Sequence, residues 1–280
     1  MKEVHVRVPA TTANLGPGFD SLGIALKVYN TTTVRRVRGS VVDGMAAEAA
    51  SAFFGAADEK PFGFAWSVDG DVPRSRGLGS SVTVRLGILH GLNELAGRPL
   101  DRFTLFRLCS ELEGHPDNAA PAAFGGFAVA PQAAEVQRFT VDAKLSFVLL
   151  IPGFEMLTSA ARKVVPKSVA LADAVRNVGN AAAIAAAFAS GDYRKLAGAF
   201  GDTFHQPYRE SLLPCLSDVI DAGRMAGALG GWLSGSGSTI ACATLGRAER
   251  VARAMAAASG LEDFQVRIVA ADNAGVRIRP

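Results

Sequence analysis

Three cysteines, Cys109, Cys215 and Cys242, are all that the 280 residues contain, an odd number at no metal-binding spacing. That excludes a disulfide framework and a thiolate metal centre, and it reads as the reduced thiols of a cytoplasmic protein. Long apolar runs are missing too. Nothing approaches the ~18 residues of a membrane span, and the opening MKEVHVRVPA alternates like a strand instead of forming the core of a signal peptide. Charge of one sign is also scarce: 29 basic against 26 acidic residues leave a net charge of only +3. So mild and evenly spread a balance argues against a nucleic-acid partner, and the cluster Arg35, Arg36 and Arg38 reads as a solvated strand end. Finally, no Gly-Lys followed by Ser or Thr occurs, and no GxGxxG, so neither common nucleotide fingerprint applies.

What is present is core material and glycine. Hydrophobic residues make up 49% of the chain and 30 residues are glycine, which rules out a disordered chain. At ~100–200 residues per domain the length suggests two domains. The stretch with most chemical content is PRSRGLGSSVT: Pro73, Arg74, Ser75, Arg76, Gly77, Leu78, Gly79, Ser80, Ser81, Val82 and Thr83. Two glycines permit a tight turn with positive φ and a close backbone approach. Ser80 then opens a helical pattern reaching about Leu95. The first turn of a helix directs unpaired N–H groups and the positive end of its dipole into such a loop, which suits a phosphate. Read in isolation, the same residues are a serine cap after a glycine turn.

Around it the chain alternates strand and helix patterns. Val4, Val6 and Val8 give a period-two strand, residues 9–26 read as a loop around Asn14, Gly16, Pro17 and Gly18, and residues 24–38 are β-branched strand. An alanine-rich helix over 44–56, a strand over 62–73 and a helix over 101–113 follow, and the last runs into Glu113-Gly114-His115-Pro116-Asp117-Asn118. With Glu111 that places five polar groups in eight residues, ahead of a glycine-rich apolar segment predicted as strand. Leu145–Ile151 is an apolar strand, and Pro152-Gly153 is the expected domain boundary. Beyond it come helices over 168–190, 192–204 and 215–228, two strands about a Gly-Ser turn in 230–245, a helix over 251–259 and a strand over 264–269. This second half has the alternation of a ferredoxin-like α+β unit.

Taken together, PATTANLGPGFDSLGIAL, PRSRGLGSS, EGHPDNAAPAAFGGF, TSAARKVVPKS, HQPYR and LSGSGSTIACA resemble the homoserine kinases, a branch of the GHMP small-molecule kinases. The resemblance runs through almost the whole chain in order. It implies an α+β, two-domain GHMP kinase fold, with an N-terminal ribosomal S5 domain 2-like domain over 1–152 and a C-terminal ferredoxin-like domain over 153–280. It implies ATP and Mg²⁺ as cofactors and phosphorylation of the side-chain hydroxyl of L-homoserine. Partners would be these small molecules, with neither nucleic acid nor membrane, and a homodimer would be the compatible assembly.

By the same resemblance Pro73 to Thr83 form the ATP loop. Asn14, Asp20, His115, Asp117, Asn118, Thr158, Arg162, Arg209, Gly235 and Ser236 surround the amino acid. Arg162 and Arg209 suit its carboxylate. Asn118 stands where other branches carry an aspartate base, so catalysis would rest on positioning and charge neutralisation, with Asp20 as the acid to test as an assisting base. Glu111, with Ser80, is the expected metal ligand, ahead of Glu113 and Asp117. Where the resemblance calls for an asparagine near residues 44–46, this chain has GMA. Two other readings fit the same fold: a GHMP kinase for another small hydroxylated amino acid or metabolite, and a non-catalytic nucleotide-binding sensor.

Overall fold

The computed structural model describes residues 3–39, 42–131 and 135–279. In chain order the elements are β1 (Glu3–Ala13), β2 (Leu22–Arg36), α1 (Gly44–Ala57), β3 (Phe64–Gly70), α2 (Ser80–Leu95), α3 (Arg102–Glu113), α4 (Ala119–Phe124), β4 (Phe127–Val129) and β5 (Gln137–Phe139). These are followed by β6 (Leu145–Pro152), α5 (Thr158–Lys163), α6 (Leu171–Ser190), α7 (Gln206–Arg209), α8 (Leu216–Met225), β7 (Gly230–Leu233), β8 (Ile240–Leu245), α9 (Ala248–Ala258), β9 (Phe264–Ala270) and β10 (Arg277–Arg279).

Two antiparallel sheets organise them. The first runs β10-β1-β2-β4-β5, with β3 on the far half of β2, and the second runs β7-β8-β6-β9. The order of the second sheet, with α8 and α9 packed on it, is the ferredoxin-like split βαβ expected from the sequence. Alternation explains the layering. Val4, Val6 and Val8 of β1 face the core formed by α1 to α4. On β6, Phe147 and Leu149 face the first sheet and α6, while Val148 and Leu150 face α8 and α9. Both faces of β6 are therefore covered, which is why its sequence is continuously apolar. No helix among the described residues is long and apolar enough to cross a membrane.

Several sequence expectations change here. Strand β1 does not stop at Pro9. It continues to Ala13 through a register shift between Pro9 and Ala10, a bulge that accommodates a residue without an N–H. Only residues 14–21 are turn. The segment 119–124, expected as strand, is helical, and 127–129 alone is strand. The helix expected over 192–204 is a single 3-10 turn, Tyr193–Leu196. Gly198 beyond it has φ +83°, and Asp202 instead receives the N–H groups of Phe204, His205 and Gln206, starting α7. Because β6 belongs to the second sheet, the chain crosses between sheets before Leu145 and not at Pro152-Gly153. The last strand, β10, then returns to pair with β1.

Candidate active site

The phosphate-type loop forms as its glycines require. Gly77 and Gly79 have φ of +72° and +68°, and Gly79 is the N-cap of α2. The loop's carbonyls turn inward, each taken by a protein donor: Ser75 by Met156 N (3.0 Å), Arg76 by Thr239 N (3.2 Å), Gly77 by Ser234 Oγ (2.7 Å) and Leu78 by Thr11 N (3.1 Å). Three of these donors lie in the C-terminal half, so both halves of the chain hold the loop. With the carbonyls committed, the loop offers an anion its N–H side and the positive end of α2.

This loop borders a cleft of about 540 Å³ between the two halves. Of the eleven loop residues, Arg74, Ser75, Arg76, Gly77, Gly79, Ser80, Ser81 and Val82 line it. Leu78 is core, and Thr83 is buried, its hydroxyl donating to Ser80 O and accepting from Asn30 Nδ2. Pro73 is not among the lining residues. The Leu78 and Thr83 side chains thus point into the protein and not into the cleft, which corrects their place in the expected loop set. Met45, Trp66, Val68 and Val84 add an apolar patch on the same cleft, one suited to a flat ring. The period-two alternation of 62–73 could have singled out Trp66 and Val68.

All the residues expected around the amino acid line this cleft: Asn14, Asp20, His115, Asp117, Asn118, Thr158, Arg162, Arg209, Gly235 and Ser236. Asn14 has φ +70°, a conformation asparagine tolerates, and bridges the domains by donating from Nδ2 to Gly235 O (2.9 Å) while its Oδ1 accepts from Asp20 N (3.1 Å). Asp20 is paired bidentately with Arg162 (2.8 and 3.0 Å), and that hydrogen bond raises the Arg162 pKa. Arg209 is buried. It donates from Nε to Ala161 O (3.1 Å) and from Nη1 to Gly235 O (3.0 Å) and His205 Nδ1 (3.1 Å). Burial, then the charge of Arg162, lowers its pKa to about 10, so it stays cationic at neutral pH. Burial also lowers His205 to about 4. It is the neutral tautomer that donates from Nε2 to Gly16 O and accepts at Nδ1. The sequence does not single out His205 and Phe19, whose rings stack at 5.0 Å, with both arginines over the Phe19 ring.

A second polar cluster adjoins. His115 Nδ1 lies 2.6 Å from Asp117 Oδ1, which also accepts from Asn118 N (2.8 Å). Burial opposes the imidazolium of His115, but the Asp117 hydrogen bond and charge outweigh it and its pKa is raised. Asn118 receives the Thr11 hydroxyl at Oδ1 (2.7 Å) and donates from Nδ2 to Asp117 (3.3 Å), so its amide is fixed in orientation.

The expected metal acid is the main correction. Glu111 is 63% exposed, pairs with Arg107 one turn earlier, and is not among the cleft's lining residues. Two positions along α3 is about 200° around the helix, and Glu113, only 10% exposed, is the glutamate that faces the cleft. Its Oε2 accepts from Ser81 Oγ (2.9 Å) and its Oε1 from Arg85 Nη1 (2.7 Å). A carboxylate beside the hydroxyl of Ser81, at the start of α2, is an all-oxygen donor set of the kind a hard divalent cation takes. These residues therefore fit Mg²⁺, whereas Glu111 does not.

Comparison with known proteins bears on the family and the fold. Residues 41–126 match the GHMP kinases N terminal domain and residues 181–260 the GHMP kinases C terminal domain. The chain is 42% identical over 252 residues to a homoserine kinase of Clostridium beijerinckii, covering 85% of each chain. It is 39% identical to one from Moorella thermoacetica, covering 90% of this chain and 91% of that one. Its structure superimposes on the crystal structure of homoserine kinase from Cytophaga hutchinsonii with a TM-score of 0.90 at 26% identity, over 100% of this chain and 98% of that chain.

Proposed function

The chain belongs to the homoserine kinase family of the GHMP kinases, and on that footing we propose how its cleft divides the work. The protein transfers the terminal phosphoryl group of ATP to the side-chain hydroxyl of L-homoserine, giving ADP and O-phospho-L-homoserine. The observation that carries the assignment of roles is that one cleft joins a helix-start phosphate loop to an Asp20–Arg162 pair and a buried Arg209. A zwitterionic amino acid presents the complement of such a set: its carboxylate to Arg209 and Arg162, its ammonium to Asp20 and Asp117.

ATP lies with its phosphates at Gly77, Gly79, Ser80 and Ser81 and its base against Trp66, Val68 and Met45. Glu113, with Ser81 and Ser80, holds Mg²⁺, which when bound neutralises charge on the phosphates. Asn118 cannot take a proton, and both oxygens of Asp20 are engaged by Arg162. The fixed Asn118 amide therefore aims the acceptor hydroxyl, and phosphoryl transfer proceeds by alignment and charge neutralisation.

A coupled ADP-release assay against a panel of acceptors tests this. L-Homoserine should be the best substrate. L-Serine, one methylene shorter, should lose ~10–200-fold in kcat/KM. 3-Aminopropan-1-ol, without the carboxylate, should lose ~30-fold or more. An amino alcohol that matches homoserine would move the acceptor to another class of metabolite, and nucleotide binding with no ADP release from any acceptor would indicate a sensor.

The metal assignment has its own test. Glu113→Gln should reduce Mg²⁺-dependent kcat by ~100-fold or more, because an amide supplies a weaker oxygen to a hard cation. Glu111→Gln should stay within about twofold of wild type, as a surface substitution. The reverse pattern in steady-state kinetics would restore Glu111 as the ligand.

A further inference from the structure

Arg85 lies one turn beyond Ser81 on α2, and the two share a face at i, i+4. Each takes one oxygen of Glu113: Ser81 Oγ is 2.9 Å from Oε2 and Arg85 Nη1 is 2.7 Å from Oε1. The other end of the guanidinium, Nη2, meets Glu48 Oε2 of α1 at 2.7 Å. The Arg85 side chain is only 13% exposed, and its Nε is buried without a partner. Burying a guanidinium with one N–H unsatisfied is a costly way to fill space between α1 and α2. An aliphatic side chain would fill it at less cost. The contacts to the two carboxylates are therefore what the position gains from arginine.

We propose that Arg85 is the positioning residue of the metal-binding acid: it clamps Glu113 against Ser81 so that the carboxylate is already oriented when Mg²⁺ arrives with the nucleotide. The inference rests on the reading of Glu113 as the metal acid. Arg85 does not itself touch substrate in this role. Its planar fork spans two carboxylates at once, a geometry that lysine cannot reproduce. Arg85 lines the cleft beside Glu113, and the exposed Glu48 takes the other end of its guanidinium. Outer partners of this kind typically change metal affinity or activity by ~10–100-fold when removed.

The test is calorimetric binding of ADP to the full-length protein with and without Mg²⁺, alongside thermal melting. In wild type Mg²⁺ should tighten ADP binding. Arg85→Met should weaken Mg²⁺-ADP binding by ~10–100-fold while ADP alone stays within about threefold. Arg85→Lys should fall between, and it supplies the answer if the methionine variant does not fold. Glu48→Gln, which leaves the Arg85–Glu113 contact in place, should remain within about threefold of wild type. Glu113→Gln in the same assay separates the two claims. If it keeps the Mg²⁺ enhancement, the metal acid is misassigned. If it loses the enhancement while the Arg85 variants keep it, the positioning role is overturned. Equal weakening of ADP with and without Mg²⁺ in Arg85→Met also overturns it, since Arg85 would then bind nucleotide directly.

Discussion

Gly79→Val should abolish measurable turnover, and the reason lies behind the loop as much as in front of it. Sequence reasoning expects a side chain here to obstruct the phosphates. In the structure a Cβ on Gly79 instead runs into Thr11 Oγ1, with Asn118 Oδ1 at 3.4 Å. Thr11 is the residue whose hydroxyl fixes the Asn118 amide. The φ of +68° adds a penalty that a β-branched residue bears in full, of order ~1–3 kcal/mol. The variant has two ways to relax. It can move the loop, spoiling the anion site, or push Thr11 away and release the group that aims the acceptor. Either way kcat should fall by ~10³-fold or more, since a displacement near 1 Å already costs ~10²-fold. Melting should drop as well, and Gly79→Ala should show the same pattern less severely. A folded Gly79→Val protein with near-normal ATP affinity by calorimetry and near-normal kcat would remove the loop from its assigned place.

Arg209→Leu should be nearly as damaging, but it acts on two levels that must be separated. Arg209 is buried and ties the Ala161 and Gly235 carbonyls and His205 together. Leucine removes the donor to Ala161 O and His205 Nδ1 and leaves Gly235 O with Asn14 Nδ2 alone, and breaking a buried charged set of this kind typically costs ~3–5 kcal/mol of stability. Arg162 offers the cleaner probe, because its side chain is 39% exposed and its hydrogen bonds go to Asp20. Both Arg162→Leu and Arg209→Leu should raise the KM for homoserine by ~30-fold or more, the effect of removing one partner from a desolvated carboxylate pair. The KM for ATP should stay within about threefold for Arg162→Leu. The double variant should fall short of the product of the singles, because both groups act on one carboxylate. Lysine at either position should rescue in part, supplying charge without the fork. Wild-type homoserine KM in both leucine variants, measured below their melting temperatures, would end the amino-acid assignment.

Much of this protein was legible in the residues themselves. The span of α2 from Ser80 to Leu95, the turn before it and the ferredoxin-like order of the second half follow from signals that act over a few residues: helix period, strand alternation and the φ that glycine permits. The ten residues expected around the amino acid come from separate segments, and all ten line one cleft. What the residues could not decide were choices fixed by partners far along the chain. Glu111 and Glu113 are equivalent as letters. Only the packing of α3 against α2, which brings Ser81 and Arg85 to the second of them, separates a solvated acid from a cleft acid. Asp20 reads in the sequence as an acid to test as an assisting base, and only the fold brings Arg162, 142 positions later, onto both its oxygens. Likewise β6 looked like the end of one domain until β8 and β9 paired with both its edges, because strand pairing is decided by whichever edge the fold brings alongside. Local chemistry settled which residues form turns, strands and helices, and the tertiary structure settled which side chains face one another, because hydrogen bonds and ion pairs act only between groups that folding brings within reach.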